Sequence, residues 1–186
     1  MNRRLVVKNL AWLAGAAVAL PGCLQQAKEA KASIPLKHLD VSASQEKMLA
    51  EVCEIIIPKT DTPGAKDLGL HRYVLKMLDD CTPKQQQQNF MMGLKQLDEA
   101  SQKQYSQSFL AATAPQKLAL MQRMDQGKDC PDELVSFYKT ARQLTVDGYT
   151  NSKYFMTNVM VYELVPSRYN GYFPANKLKS ANPHNG

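Results

Sequence analysis

The sequence predicts an all-α fold: about five helices in an orthogonal or bundle-like body, followed by an extended, irregular C-terminal tail. Three observations carry this. Apolar residues recur three and four positions apart through most of residues 42–148, the spacing of one helical face. Capping and proline start signals precede most of these stretches, and glycine or proline closes several of them. Residues 159–165 (Val-Met-Val-Tyr-Glu-Leu-Val) could form a short strand, but one strand without a partner makes no sheet, so a tail wrapping the body is preferred.

The first helix starts at Ser42, whose spacing to Gln45 is that of a capping box, and buries Leu49, Val52, Cys53 and Ile56. Pro58 ends it, and Thr60-Asp61-Thr62-Pro63-Gly64 makes a compact turn. Leu70, Val74, Met77, Leu78 and Cys81 mark the second helix. Thr82-Pro83-Lys84-Gln85 combines a capping-box spacing with a proline at the helix start, and Phe90, Met91, Leu94 and Leu97 give the third helix its buried face. The fourth begins near Ala114-Pro115, turns Leu118, Met121 and Met124 inward, and stops at Gly127. A fifth begins at Asp129-Cys130-Pro131, carries Leu134, Phe137, Tyr138, Ala141 and Leu144, and ends near Gly148. The only low-complexity patch is Gln85–Gln88, short enough for a helix surface.

Residues 1–22 read as an export signal. Arg3, Arg4 and Lys8 form a positive segment, Leu10 to Leu20 an apolar one too short to span a bilayer, and Gly22-Cys23 closes it. The arginine pair is similar to the twin-arginine signal of substrates exported already folded; a Sec signal that happens to carry two arginines is the alternative. Leu20-Pro21-Gly22-Cys23 also resembles a lipobox, with Cys23 as the lipidated residue, the alternative being cleavage nearby and a soluble product. Residues 23–41 are expected to be a flexible tether, 42–174 the folded domain and 175–186 a disordered tail.

With 186 residues, 44% of them hydrophobic, the chain is long enough for one globular domain and too apolar to be wholly disordered. Its formal charge of +6 suggests nucleic acid, but residues 1–22 contain three of the basic residues and none of the acidic ones. What remains is 20 Lys and Arg against 17 Asp and Glu, with no basic cluster interleaved with aromatics, so nucleic-acid binding has no footprint.

Catalytic chemistry is equally hard to find. His38 and His184 fall in the expected tether and tail, leaving His71 at the start of the second helix, where a surface or partly buried helix residue is the simpler reading. No Cys-x-x-Cys, His-x-x-x-His or Glu-x-x-His pairing suggests a metal site, and no Gly-x-Gly-x-x-Gly or Walker-type loop suggests a nucleotide or flavin cradle. Asp79-Asp80 reads as a solvated helix end, and the nine methionines as core. No catalytic, cofactor or metal residue is assigned.

Export would place Cys53, Cys81 and Cys130 in an oxidising compartment. Cys53 lies on an apolar helix face and reads as a buried thiol. Cys81 and Cys130 stand at helix boundaries and are expected to pair, a bridge worth roughly 3–4 kcal/mol in the chain-entropy account.

Ile56-Ile57-Pro58-Lys59-Thr60-Asp61-Thr62-Pro63-Gly64-Ala65-Lys66, followed by Leu68-Gly69-Leu70-His71, resembles the gluconate 2-dehydrogenase subunit 3 family. Phe90-Met91-Met92-Gly93-Leu94 with Leu97-Asp98, Leu144 to Tyr149, and Val165 to Gly171 extend the resemblance in order over residues 44–174. The resemblance implies a small subunit without a redox group, which carries the export signal and escorts a large FAD-binding partner of the glucose–methanol–choline oxidoreductase type to the periplasm. In that family a cytochrome c partner often receives the electrons. Where the family often has a cysteine after its Tyr-x-Gly step, this chain has Tyr172.

Two segments are candidates for gripping such a partner. One is the turn Thr60, Asp61, Thr62, Pro63, Gly64, which could equally be a rigid connector. The other is the aromatic run Tyr149, Tyr154, Tyr162, Tyr169, Tyr172 and Phe173, which could instead fold back on its own body. A free-standing envelope lipoprotein that binds a ligand or protein is the alternative function.

Overall fold

The computed structural model describes residues 30–127, 129–160 and 171–172. The export signal with Arg3, Arg4, Lys8 and Cys23, the aromatics Tyr162, Tyr169 and Phe173, most of the candidate strand, and the terminal tail lie outside the described residues.

Five α-helices make the body: α1 (Ala43–Ile56), α2 (Leu70–Cys81), α3 (Lys84–Tyr105), α4 (Ala114–Gln126) and α5 (Asp132–Thr150), with a π-helical turn at Phe155–Val159. Among the described residues there is no strand, only an isolated bridge between Lys31 and Ser42. The all-α expectation therefore holds, and among the described residues so does the count of five α-helices.

Local chemistry accounts for most boundaries. Ser42 and Gln45 form the expected reciprocal capping box of α1. Gln116 accepts the Thr113 N–H (2.9 Å) ahead of α4, and Gly127 at φ 65° ends that helix in the left-handed conformation glycine tolerates. The capping box expected at Thr82 does not form. Pro83 is the N-cap of α3, and the Thr82 hydroxyl instead donates to the Met77 carbonyl (3.2 Å), closing the end of α2.

Helix α5 is the hub, packed against each of the other four. Its buried residues Leu134, Phe137, Tyr138, Ala141, Thr145 and Gly148 accordingly spread around the cylinder instead of forming one stripe. Two glycines let neighbours approach it closely. A Cβ on Gly93 of α3 would lie against the Phe137 Cβ and 2.7 Å from the Glu133 carbonyl, and one on Gly148 would lie 2.7 Å from the Tyr73 ring of α2. The helix ends at Thr150, close to Gly148 as expected, and Gly148 itself is a packing residue of its last turn. Phe90 and Phe137 add a tilted ring pair 4.7 Å apart. Phe109, in the α3–α4 connection, is fully buried, its N–H given to Asp98 at 2.7 Å.

Three expectations need correction. Leu118 does not point inward: α4 buries Leu120, Met121 and Met124, which leaves Leu118 at the rim and 47% exposed. Asp79 is not a solvated helix end but is 1% exposed, because its carboxylate accepts three consecutive backbone N–H groups, from Lys37 (2.7 Å), His38 (2.7 Å) and Leu39 (2.9 Å). Finally, the tether expected over 23–41 belongs to the body from residue 31 onward. Ala32, Ile34, Leu36 and Leu39 pack on the core and Val41 is buried.

Candidate functional site

The segment most specific in sequence, residues 58–66, is built around one carboxylate. Glu54, in the last turn of α1, accepts the N–H of Lys59 (3.1 Å) with one oxygen and that of Lys66 (2.8 Å) with the other. The chain must therefore leave α1, turn and return within reach of a single side chain. Ala65 donates to the Ile57 carbonyl at 2.9 Å, and Lys59 pairs with Asp67 at 3.1 Å. Gly64 is required by closeness: a Cβ there would sit 2.6 Å from the Lys59 nitrogen and 2.7 Å from a Glu54 oxygen. Thr60 and Thr62 bond to one another across the tip, Thr60 N–H to the Thr62 carbonyl at 3.1 Å. Thr60 and Asp61 are exposed, Thr62 and Pro63 half-buried, and Gly64 buried. The loop is a braced protrusion with a polar tip.

Beside it runs a groove of about 230 Å³, lined mainly by the apolar parts of Ile55, Ile56, Leu118, Met121 and Tyr138, with Gln122, Asp125 and Arg142 at its edge. Asp125 and Arg142 pair with each other at 3.0 Å, so the edge carries no uncompensated charge. Burial and the neighbouring Asp125 push the Tyr138 hydroxyl above its ordinary value, which keeps it a neutral donor. Val146, one turn beyond Arg142 on α5, is 41% exposed and extends the apolar character along the same face. Leu118 and Val146 are large apolar side chains left in solvent on α4 and α5.

The aromatic run divides. Tyr149 packs against the core and meets Tyr154 (6.5 Å) and Phe155 (5.6 Å) at the end of α5, so these rings fold back on the body. Tyr172 is 97% exposed. The remaining three aromatics fall outside the described residues.

A second cleft, of about 480 Å³, opens between α3, α4 and the start of α5. Leu97, Leu120, Met124 and Leu134 line its floor, and Lys103, Arg123 and Cys130 its sides. Arg123 is already engaged, with Gln104 and with the Asp129 carbonyl at 3.3 Å.

The cysteines contradict one expectation. Cys53, Cys81 and Cys130 are all free thiols. Cys81 ends α2 beside the first turn of α3, whereas Cys130 faces Gln96 to Gln104 in that helix's second half. At ~1.5 Å per residue, the stretch from Lys84 to Gln96 alone separates those levels by about 18 Å, far beyond disulfide range. Cys53 is buried as expected. Desolvation raises its thiol to about 11 despite the Thr145 hydroxyl donating at 3.3 Å, so it stays protonated.

His71 lies beside Glu46, the residue that holds Ser33 of the segment 31–41. Its Nε2 is 3.6 Å from Glu46 Oε1, and its Nδ1 is buried without a partner. Burial lowers its pKa below 6.5 more than the nearby Glu46 raises it. The Ser33 hydroxyl and N–H are both given to Glu46, so neither is available to the imidazole. This set holds a segment in place; it does not align a nucleophile with a base. Among the described residues no three His, Cys, Asp or Glu side chains converge as a metal site.

Sequence reasoning missed the groove and the docking of residues 31–41, a strap across the helices. The exposed position of Leu118 follows from α4 meeting α5 through a narrow stripe, which depends on tertiary packing. A local signal did exist for the strap: the alternation Ala32, Ile34, Leu36 within otherwise polar sequence.

A family model described as gluconate 2-dehydrogenase subunit 3 matches residues 43–166, from the start of α1 past the π-helical turn. No curated protein and no solved structure matches the chain.

Proposed function

Because the chain belongs to the gluconate 2-dehydrogenase subunit 3 family, we propose that it is the small, non-catalytic subunit of an exported FAD-dependent sugar or polyol dehydrogenase. In this reading a separate large subunit of the glucose–methanol–choline type binds FAD and oxidises the substrate, and a cytochrome c accepts the electrons. The family match over residues 43–166 carries the reading. It is supported by a chain whose sequence has no flavin-type glycine loop and whose rigid body presents the 58–64 loop beside an apolar groove.

The work of the subunit is recognition and delivery. The groove formed by Ile55, Ile56, Leu118 and Tyr138 supplies apolar area, and the loop tip at Thr60, Asp61 and Thr62 supplies polar groups at its edge, an interface with a dry centre and a polar rim. The exposed Tyr172 and the aromatics around it add anchors. Arg3, Arg4 and Lys8 address the complex for export in the folded state, which suits a partner loaded with flavin before translocation. Cys23, lipidated, would hold the complex at the periplasmic face of a membrane.

The experiment is a conservative change in the signal. Arg3→Lys with Arg4→Lys keeps the charge, and it should leave both this chain and the flavoprotein in the cytoplasm, with periplasmic dehydrogenase activity falling at least tenfold. Unchanged export of the flavoprotein would contradict the escort role.

A further inference from the structure

Residues 31–41 form a closed strap with few and identifiable fastenings. Its ends are joined, Ala32 N–H to the Val41 carbonyl at 2.9 Å beside the Lys31–Ser42 bridge. Ala32, Ile34 and Leu36 alternate inward along it. Its side-chain fastenings to the helices run through two carboxylates. Glu46 of α1 takes the N–H and hydroxyl of Ser33, and Asp79 of α2 takes the N–H groups of Lys37, His38 and Leu39. A segment held by one buried residue at its base, Val41, by partly buried apolar residues and by two acceptors opens more readily than helices crossing in a core.

We propose that this strap is a releasable spacer that sets how much chain separates Cys23 from the helical body. Docked, the strap leaves only residues 24–30 between them; released, residues 24–41. At ~3.4 Å per residue those lengths reach at most about 25 Å and about 60 Å. The consequence for distance from a membrane rests on lipidation of Cys23; the docking equilibrium itself does not.

Charge gives the equilibrium a direction. Burial works against the charge of Asp79, but the three N–H donors and the nearby His38 outweigh it and hold its pKa below 3.8. Burial likewise opposes Glu46, while Ser33, His71 and Arg72 bring it below 4.5. Lys66 and Arg72 also face His71, and its burial keeps the imidazole below 6.5. Release removes the donors from both carboxylates, so the released state binds protons more readily. Docking is therefore fully supported above pH 4.5 and weakens as pH falls through the carboxylate range.

Hydrogen exchange on the mature chain tests this. The amides of Lys37, His38 and Leu39 should exchange at least tenfold faster than those of Leu94 and Ala141 in the core. Asp79→Asn should speed the three strap amides at least a further tenfold and leave the two core amides within about twofold. If that variant fails to fold, the unaltered chain taken from pH 6 to pH 4 should show a selective rise at the three strap amides of up to about sixfold after correction for intrinsic rates, the most that linkage through two carboxylates allows. Strap and core amides that exchange together in every condition would overturn the proposal. Sedimentation of the full lipid-processed chain with phospholipid vesicles reads the anchor separately: failure to sediment removes the membrane consequence and leaves the exchange result standing.

Discussion

Gly93→Ala should destabilise the fold by about 3 kcal/mol, near the top of the range for overpacking a core. The new methyl has nowhere to go. It would meet the Phe137 Cβ and lie 2.7 Å from the Glu133 carbonyl, and both belong to the part of α5 closest to its own backbone. A flexible side-chain end could swing away, but a carbonyl and a Cβ move only if the helix moves. Helix α5 is also in contact with α1, α2 and α4, so a shift at this crossing is transmitted to every layer. In a chain of this size the loss should lower Tm by roughly 6–12 °C. Met92→Ala, one residue away and 50% exposed in the native protein, is the control and should change stability by no more than about 0.5 kcal/mol. A Gly93→Ala protein that melts with the unaltered chain would show that α3 and α5 do not cross this closely.

Leu118→Glu should have the opposite profile: little effect on folding and a large one on assembly. The side chain is 47% exposed, on a helix whose buried stripe is Leu120, Met121 and Met124, so a charge there stays solvated in the free subunit. In a complex seated on the groove, the same carboxylate would be buried among Ile55, Ile56, Met121 and Tyr138 without a cationic partner, since Arg142 already pairs with Asp125. The cost of an uncompensated charge at an interface centre is about 2 kcal/mol or more, which weakens binding of the flavoprotein about thirtyfold. The thermal midpoint of the free subunit should stay within a degree or two of the parent. Undiminished binding by Leu118→Glu would move the interface off this groove. Leu120→Glu, two residues on but buried, should instead fail to fold, which separates assembly from stability.

The helices were legible because their signals are local. Ser42 with Gln45, Pro115 after Thr113, and Gly127 each act within one turn, and the structure uses all three. Burial was legible where a helix has one packing face, as in α2, whose Leu70, Val74 and Leu78 are buried as the spacing implies, although Cys81 at its last position is exposed. It was less legible where tertiary geometry narrows the face, as at Leu118, or where two backbones meet, as at Gly93 and Gly148. The strap was hidden for a different reason. Its polar residues suggested a tether, while the group that fastens it, Asp79, lies about 40 residues further along and shows its role only when three N–H groups converge on it. The pairing of Cys81 with Cys130 failed because helix boundaries near each other in a list of signals stand at different levels of α3 in space. The family resemblance in residues 56–66 was legible, but its physical basis, two backbone nitrogens held by Glu54, was not.

The central claim is that this subunit grips and delivers a flavoprotein and has no reactive centre of its own. Purification of the tagged, exported chain under native conditions, followed by separation of the bound chains and assay of each for FAD and sugar oxidation, tests it most directly. The account predicts a larger partner in equal amount that keeps all of the flavin and, once loaded, all of the turnover. A tagged chain recovered alone, carrying a prosthetic group or oxidising a sugar without a partner, would contradict it.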